Sequence, residues 1–211
     1  YDIVTMPPPS SGGVHVLQML NILEHFPVTE MGSGSADSIH LLAEVMRLAF
    51  ADRSKHLGDP DHYDVPVEWL TSKDYGKQLA STIDMHKARN SNDVLPGVEP
   101  LFESEDTSHY SVMDKDRNVV SNTYTLNFSF GSGIAVAGAG FLLNNEMDDF
   151  AAKPGVMNAF GLLGGEANAI AAGKRPLSSM TPVIVFADGE PWFATGSPGG
   201  SRIITVVLQM I

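Results

Sequence analysis

Asp106-Thr107-Ser108-His109-Tyr110-Ser111-Val112, with Thr123-Tyr124-Thr125-Leu126-Asn127 close behind it, divides this 211-residue chain into two unlike parts. Residues 109–113 and 119–126 are rich in β-branched and aromatic side chains. They flank Asp114-Lys115-Asp116-Arg117-Asn118, a run of turn-forming types, so the pattern predicts a β-hairpin. Upstream, residues 1–106 carry 7 Lys+Arg against 17 Asp+Glu, a net −10. Downstream, residues 107–211 carry 6 against 8, a net −2, together with most of the glycine-rich turns. Residues 87–106 are polar and lack a hydrophobic period, which reads as an exposed, mobile linker ending at this boundary.

Helices dominate the upstream part. Pro7-Pro8-Pro9-Ser10-Ser11-Gly12-Gly13 forms a rigid turn, and the spacing of Val14, Leu17, Leu20 and Leu23 predicts a helix over 13–26. Ile39, Leu42, Val45, Met46, Ala49 and Phe50 predict a second helix over 36–57. Residues 58–72 read as a proline-punctuated loop, followed by a short helix over 74–83. Downstream, residues 182–187 and 192–195 form a second hairpin around Asp188-Gly189-Glu190, and Gly199-Gly200 opens a final helix or strand. Strands in one half and helices in the other predict an α+β fold or a layered α/β/β/α arrangement. Tyr1 is not an initiator Met, and the last nine residues, from Ile203 to Ile211, stop inside an apolar run. An internal piece of a longer chain is therefore expected.

Composition excludes several classes. A formal net charge of −12 argues against a nucleic-acid or anionic-membrane surface, since both require clustered positive charge. With 43% hydrophobic and 18% charged residues the chain is no disordered acidic tail. The absence of cysteine excludes disulfides, thiolate metal sites and thiol nucleophiles. The longest apolar stretches are short and broken by glycine, so no span is expected.

Three features can carry chemistry. Asn144-Asn145-Glu146-Met147-Asp148-Asp149 is either a pocket for an ammonium group or a metal, or the acidic start of a helix. Gly196-Ser197-Pro198-Gly199-Gly200-Ser201-Arg202 is either a backbone cradle for an anion or an ordinary tight turn. It lacks the Lys-Ser/Thr ending of a nucleotide-binding loop. Arg175-Pro176-Leu177-Ser178-Ser179-Met180-Thr181-Pro182 offers paired hydroxyls to a carboxylate, or uses them in turn hydrogen bonds. His56-Leu57-Gly58-Asp59-Pro60-Asp61-His62 has metal-ligand residue types without a repeated ligand pair and reads as a solvated loop.

The stretches around Thr107 and Thr125, the run from Gly138 to Phe150, residues 174–180 and residues 195–202 together resemble the gamma-glutamyltransferase (gamma-glutamyltranspeptidase) family. Met6-Pro7-Pro8-Pro9-Ser10-Ser11-Gly12-Gly13 is similar to a segment of that family's large chain, so the resemblance spans essentially the whole sequence. It implies a layered αββα N-terminal-nucleophile hydrolase. A precursor of this kind cuts itself between Asp106 and Thr107 into a large and a small chain that remain together. Residues 1–106 would then be the carboxy-terminal part of the large-chain segment, and 107–211 the amino-terminal part of the small catalytic chain.

The resemblance also implies roles. Thr107 would be the nucleophile and Thr125 its hydrogen-bonding partner. Asn127, Glu146 and Asp149 would hold a substrate ammonium, Ser178 and Ser179 its carboxylate, and Gly199 and Gly200 the oxyanion. Glutathione and related gamma-glutamyl compounds are the implied donors, water or amino acids and dipeptides the acceptors, with no cofactor and no metal. The implied location is periplasmic or secreted, and the family's carboxylate-clamping Arg is expected upstream of Tyr1. Phe160 stands in the lid segment where similar bacterial members carry Tyr, which bears on the balance of hydrolysis and transfer. A glutaryl-amide acylase on the same scaffold, or an inactive unprocessed precursor, are the competing readings.

Overall fold

The computed structural model describes residues 1–90, 107–158 and 162–211; the predicted linker beyond residue 90, Asp106 and Phe160 lie outside the described residues. A short strand the pattern did not predict, β1 (Asp2–Thr5), comes first. Four alternating residues are too few to carry a period, and β1 exists through its antiparallel pairing with a strand nearly two hundred residues away.

Helix α1 (Gly12–Leu23) forms where the spacing predicts but stops three residues sooner, ahead of Pro27, whose ring disfavours helical backbone at the residue before it. Its buried face runs through Val16, Met19 and Ile22, with Leu17, Leu20 and Leu23 only half-buried. One turn, α2 (Val28–Met31), leads to the long α3 (Ala36–His56). Ser35 caps α3 by accepting from the Ser38 N–H at 3.1 Å. The predicted loop 58–72 contains the single turn α4 (Val67–Leu70), which Pro66 opens and which buries Leu70 completely. Helix α5 (Lys73–Ala80) is capped by Ser72.

Strands β2 (Thr107–Met113) and β3 (Val119–Thr125) form the predicted hairpin, in register from Thr107↔Thr125 to Met113↔Val119. Its turn is tied by Asp114 Oδ1, which accepts from the N–H groups of Asp116 and Asn118. Single 3₁₀ turns occur at Glu146–Asp149 and Glu166–Asn168. Strands β4 (Val183–Ala187) and β5 (Glu190–Thr195) complete an antiparallel sheet of order β1-β4-β5, against which the β2–β3 hairpin packs. The final element is helix α6 (Arg202–Met210), not a strand.

Both halves of the chain build one core. Val16, Met19 and Ile22 of α1, Leu41, Val45 and Ala49 of α3, Val183 and Val185 of β4, and Ile203, Ile204, Val207 and Leu208 of α6 pack together. Each fully buried aliphatic side chain contributes about 1.5–3 kcal/mol relative to exposure. The apolar end of the sequence is thus a helical stripe already packed on its neighbours. Among the described residues no helix is long and apolar enough to cross a membrane.

Candidate active site

Alternation along the hairpin puts Thr107, His109, Ser121, Thr123 and Thr125 on one face of the β2–β3 ribbon. That face meets the end of β5: Ser121 Oγ donates to the Thr195 carbonyl at 3.1 Å. The His109 ring bonds Thr123 Oγ1 at 2.8 Å, and Gly196 lies against it so closely that a Cβ there would sit 2.2 Å from Nδ1. Only glycine permits that approach, and it brings the turn after β5 beside the start of β2. The same turn continues through Gly199 and Gly200, at φ +122° and +56°, backbone that disfavours side chains. It feeds α6 through bonds from Arg202 N to Gly199 O and from Ile203 N to Gly200 O.

At the same open end of the hairpin, across from Thr107, Thr125 Oγ1 accepts from the Asn127 N–H at 2.9 Å. Asn127 is buried and holds left-handed backbone, φ 77°, tolerated by Asn more than most residues. Its side-chain amide donates to the Asn145 carbonyl at 3.2 Å, and Asn145 Oδ1 accepts from Phe128 N at 3.1 Å. These bonds fasten the acidic run to the end of β3.

That run is a single 3₁₀ turn rather than the start of a longer helix. Burial pushes the Asp149 carboxyl up to about 8, with the adjacent Glu146 carboxylate adding to the rise and Arg53 opposing it. Glu146 is pushed up as well, chiefly by burial. A proton shared between the two carboxyls relieves their mutual repulsion, and a cation bound beside them would take its place. No cluster of three or more His, Asp or Glu able to hold a metal ion occurs among the described residues.

Ser178 and Ser179 are carried on an extended segment that runs beside Pro9, Ser10 and Ser11. Ser178 N donates to Pro9 O at 3.0 Å, and Ser11 N to Ser178 O at 2.9 Å. Ser10 Oγ donates to Met180 O at 2.6 Å. From α3, the guanidinium of Arg53 donates to Ser11 Oγ and Ser179 Oγ, each at 3.0 Å. Asn168 joins the acidic turn to this segment: its Nδ2 donates to Asp149 O at 2.7 Å and its Oδ1 accepts from Leu177 N at 3.0 Å.

The base of the segment is pinned by Arg175. Asp59 Oδ2 accepts from its N–H at 2.8 Å and from Nε at 3.0 Å, and Asp59 Oδ1 pairs with Nη2 at 2.5 Å. The guanidinium beside it holds the Asp59 carboxyl far below the usual range. The expectation of a solvated loop at 56–62 therefore needs correcting. Leu57 and Asp59 are 1% exposed, and only its outer residues, Pro60 to His62, face water. Sequence alone gives Asp59 no partner, because Arg175 lies more than a hundred residues away.

One cleft collects most of the predicted residues. Thr107, Thr125, Asn127, Asp149, Ser178, Ser179 and Gly200 line it; Gly199 precedes Gly200 in the turn, and Glu146 reaches it through Asp149. Arg53 also lines it, a residue the sequence reading did not single out. Its signal was present: Arg53 follows Val45 and Ala49 at four-residue steps, on the buried stripe of α3. A charge on an apolar face is the exception that marks a site.

Comparison with known proteins agrees over the whole length. The gamma-glutamyltranspeptidase family profile matches residues 1–211. The chain is 57% identical over 211 residues to the glutathione hydrolase proenzyme of Escherichia coli (strain K12), covering all of this chain and 36% of that protein. It is 42% identical to the acylase ACY 1 proenzyme of Pseudomonas sp. (strain SE83), covering 100% of this chain and 35% of that one. The chain thus spans about a third of the length of these curated relatives. The crystal structure of a cephalosporin acylase from Bacillus halodurans superposes with a TM-score of 0.76 at 24% identity, over 98% of this chain and 34% of that one. That likeness is one of fold, and the mixture of helices and sheets agrees with the α+β class expected from the sequence.

Proposed function

Since the chain belongs to the gamma-glutamyltranspeptidase family, we propose that the full-length protein cuts itself between Asp106 and Thr107 and then transfers or hydrolyses gamma-glutamyl groups, glutathione among its donors. The observation that carries this reading is the cleft in which Thr107, Thr125, Asp149, Ser178, Ser179 and Gly200 converge from four separate stretches of sequence. In the precursor the Thr107 hydroxyl attacks the Asp106 carbonyl carbon. The peptide C–N bond breaks, the nitrogen takes up the proton, and water hydrolyses the resulting ester. Residues 1–106 and 107–211 then belong to two chains held by the shared core.

The new amino terminus supplies nucleophile and base on one residue. An α-amine titrates at about 7.7–8.0, suited to removing the Thr107 hydroxyl proton near neutral pH. Attack on a gamma-glutamyl amide gives a tetrahedral oxyanion facing the Gly199–Gly200 turn, whose N–H groups serve as donors. Collapse expels the amine, protonated by the α-ammonium, and leaves an acyl-Thr107 ester for water or an amino-acid acceptor. Asn127, Glu146 and Asp149 hold the substrate ammonium, and Ser178 and Ser179 its carboxylate. Binding the two charges away from the scissile bond orients the carbonyl against Thr107, a source of much of the rate gain in such reactions. A periplasmic or secreted location and a two-chain assembly complete the proposal.

The acidic pair separates this reading from a glutaryl-amide acylase. A glutaryl group carries no ammonium, and for it two half-buried carboxylates would be a cost without return. Release of p-nitroaniline from gamma-glutamyl-p-nitroanilide and from glutaryl-p-nitroanilide by the full-length protein tests the choice. The proposal expects turnover of the first at least tenfold faster; preference for the glutaryl donor would overturn it.

A further inference from the structure

Arg53 is 4% exposed, yet no carboxylate lies within ion-pair distance of it among the described residues. A buried guanidinium with only hydroxyl partners is an expensive arrangement, kept where the charge is used. We propose that Arg53 is a positioning residue that fixes Ser179 as a hydrogen-bond donor to the substrate α-carboxylate and supplies the positive charge behind it. The inference rests on the gamma-glutamyl reading of the cleft and deepens it.

The direction of the hydrogen bonds carries the argument. A guanidinium has donors and no acceptor, so Ser179 Oγ must accept from Nη2. The Ser179 hydrogen is thereby turned away from Arg53, toward the cleft that both residues line. Ser178 is set in the same sense, its Oγ accepting from Met180 N at 3.0 Å. Ser11 completes the brace: its Oγ accepts from Arg53 Nε and donates to the Ser178 carbonyl at 2.8 Å. One side chain of α3 thus orients the Ser179 hydroxyl directly and braces the Ser178 backbone through Ser11. Burial lowers Arg53 only to about 10, so it stays charged at neutral pH, and the opposing Asp149 favours that charge. The cleft therefore presents a positive end behind Ser179 and a negative end at the Glu146–Asp149 pair, matching the two charges of an α-amino acid.

The test uses competitive inhibition of the full-length protein by L-glutamate and by 4-aminobutyrate, which lacks the α-carboxylate. In Arg53→Gln the inhibition constant for L-glutamate is expected to rise about 10- to 100-fold, the range for losing a charge-assisted hydrogen bond, while that for 4-aminobutyrate stays within about threefold. A purely structural role would weaken both alike or lower only the processed fraction, and an unchanged ratio of the two constants overturns the proposal. Should Arg53→Gln fail to fold or process, Arg53→Lys answers the same question: one ammonium cannot bridge Ser11 and Ser179, so the ratio of the L-glutamate constant to the 4-aminobutyrate constant must still rise, and an unchanged ratio overturns the proposal. An unmutated protein that does not turn over gamma-glutamyl-p-nitroanilide removes the functional reading itself, and this inference with it.

Discussion

Thr107 and Thr125 stand directly opposite one another across the β2–β3 ladder, as the first and last residues of the hairpin. Directly opposed side chains in an antiparallel pair have Cβ atoms about 4.5–5.5 Å apart, so two hydroxyls there reach each other without leaving the ribbon. Thr125 Oγ1 accepts from Asn127 N, which directs its hydrogen elsewhere. Thr125→Val is expected to lower kcat by about 10- to 100-fold, the cost of one hydrogen bond to the reacting oxygen, with KM little changed. Thr125→Ser should recover most of the loss. Steady-state kinetics on gamma-glutamyl-p-nitroanilide measures both.

The Glu146–Asp149 pair makes donor binding pH-dependent. Asp149 is pushed up to about 8, so below that pH the pair carries a proton that an ammonium must displace. KM for a gamma-glutamyl donor should fall as pH rises from about 6 toward 8. Glu146→Gln removes the neighbouring charge that raises Asp149, and moves that limb to lower pH. A KM profile against pH for both proteins decides it, and an unmoved limb would assign the titration elsewhere.

His15 makes stability sensitive to acid. It is fully buried on α1, bonded to Gln18 Oε1 at 2.9 Å, and burial drives it down to about 3. The unfolded chain takes up a proton near 6.5 that the folded chain refuses, so stability falls as pH drops through the window between these values. From pH 7 to pH 5 the loss is about 2 kcal/mol. Asp52, raised by burial, works in the opposite sense, so the comparison is between the parent protein and His15→Gln. Urea midpoints at the two pH values should show the slope shrinking in the variant.

Asn168 fixes the distance between Asp149 and the segment that carries Ser178 and Ser179. Replacing it by Ala removes the bonds to Asp149 O and Leu177 N and leaves those backbone groups to find other partners. A destabilisation of about 1–3 kcal/mol is expected, with KM for the gamma-glutamyl donor raised more than kcat is lowered. Thermal unfolding and steady-state kinetics measure the two effects.

Much of the architecture is legible because its periods are strong. The hairpin strands and the stripe through Val45 and Ala49 on α3 need no tertiary context to be read. Ile39, expected on that stripe, is nonetheless exposed while Leu41 and Leu48 are buried, and β2 begins two residues earlier than the pattern predicts. What escapes is held by distant partners. Strand β1 is defined by β4, Asp59 by Arg175, and Arg53 by Ser11 and Ser179, with separations from 42 to 126 residues in the hydrogen-bonded cases. The three ambiguous motifs were indistinguishable from turns one at a time; their chemical sense lies in the cleft where they meet.

The central claim is that Thr107 becomes the amino-terminal nucleophile. Intact-mass analysis of the purified full-length protein, with amino-terminal sequencing of the smaller chain, tests it most directly. The account predicts a chain beginning Thr107-Ser108-His109, and a single uncut chain with no donor turnover for Thr107→Ala. A parent protein that turns over gamma-glutamyl-p-nitroanilide while remaining one uncut chain would contradict it.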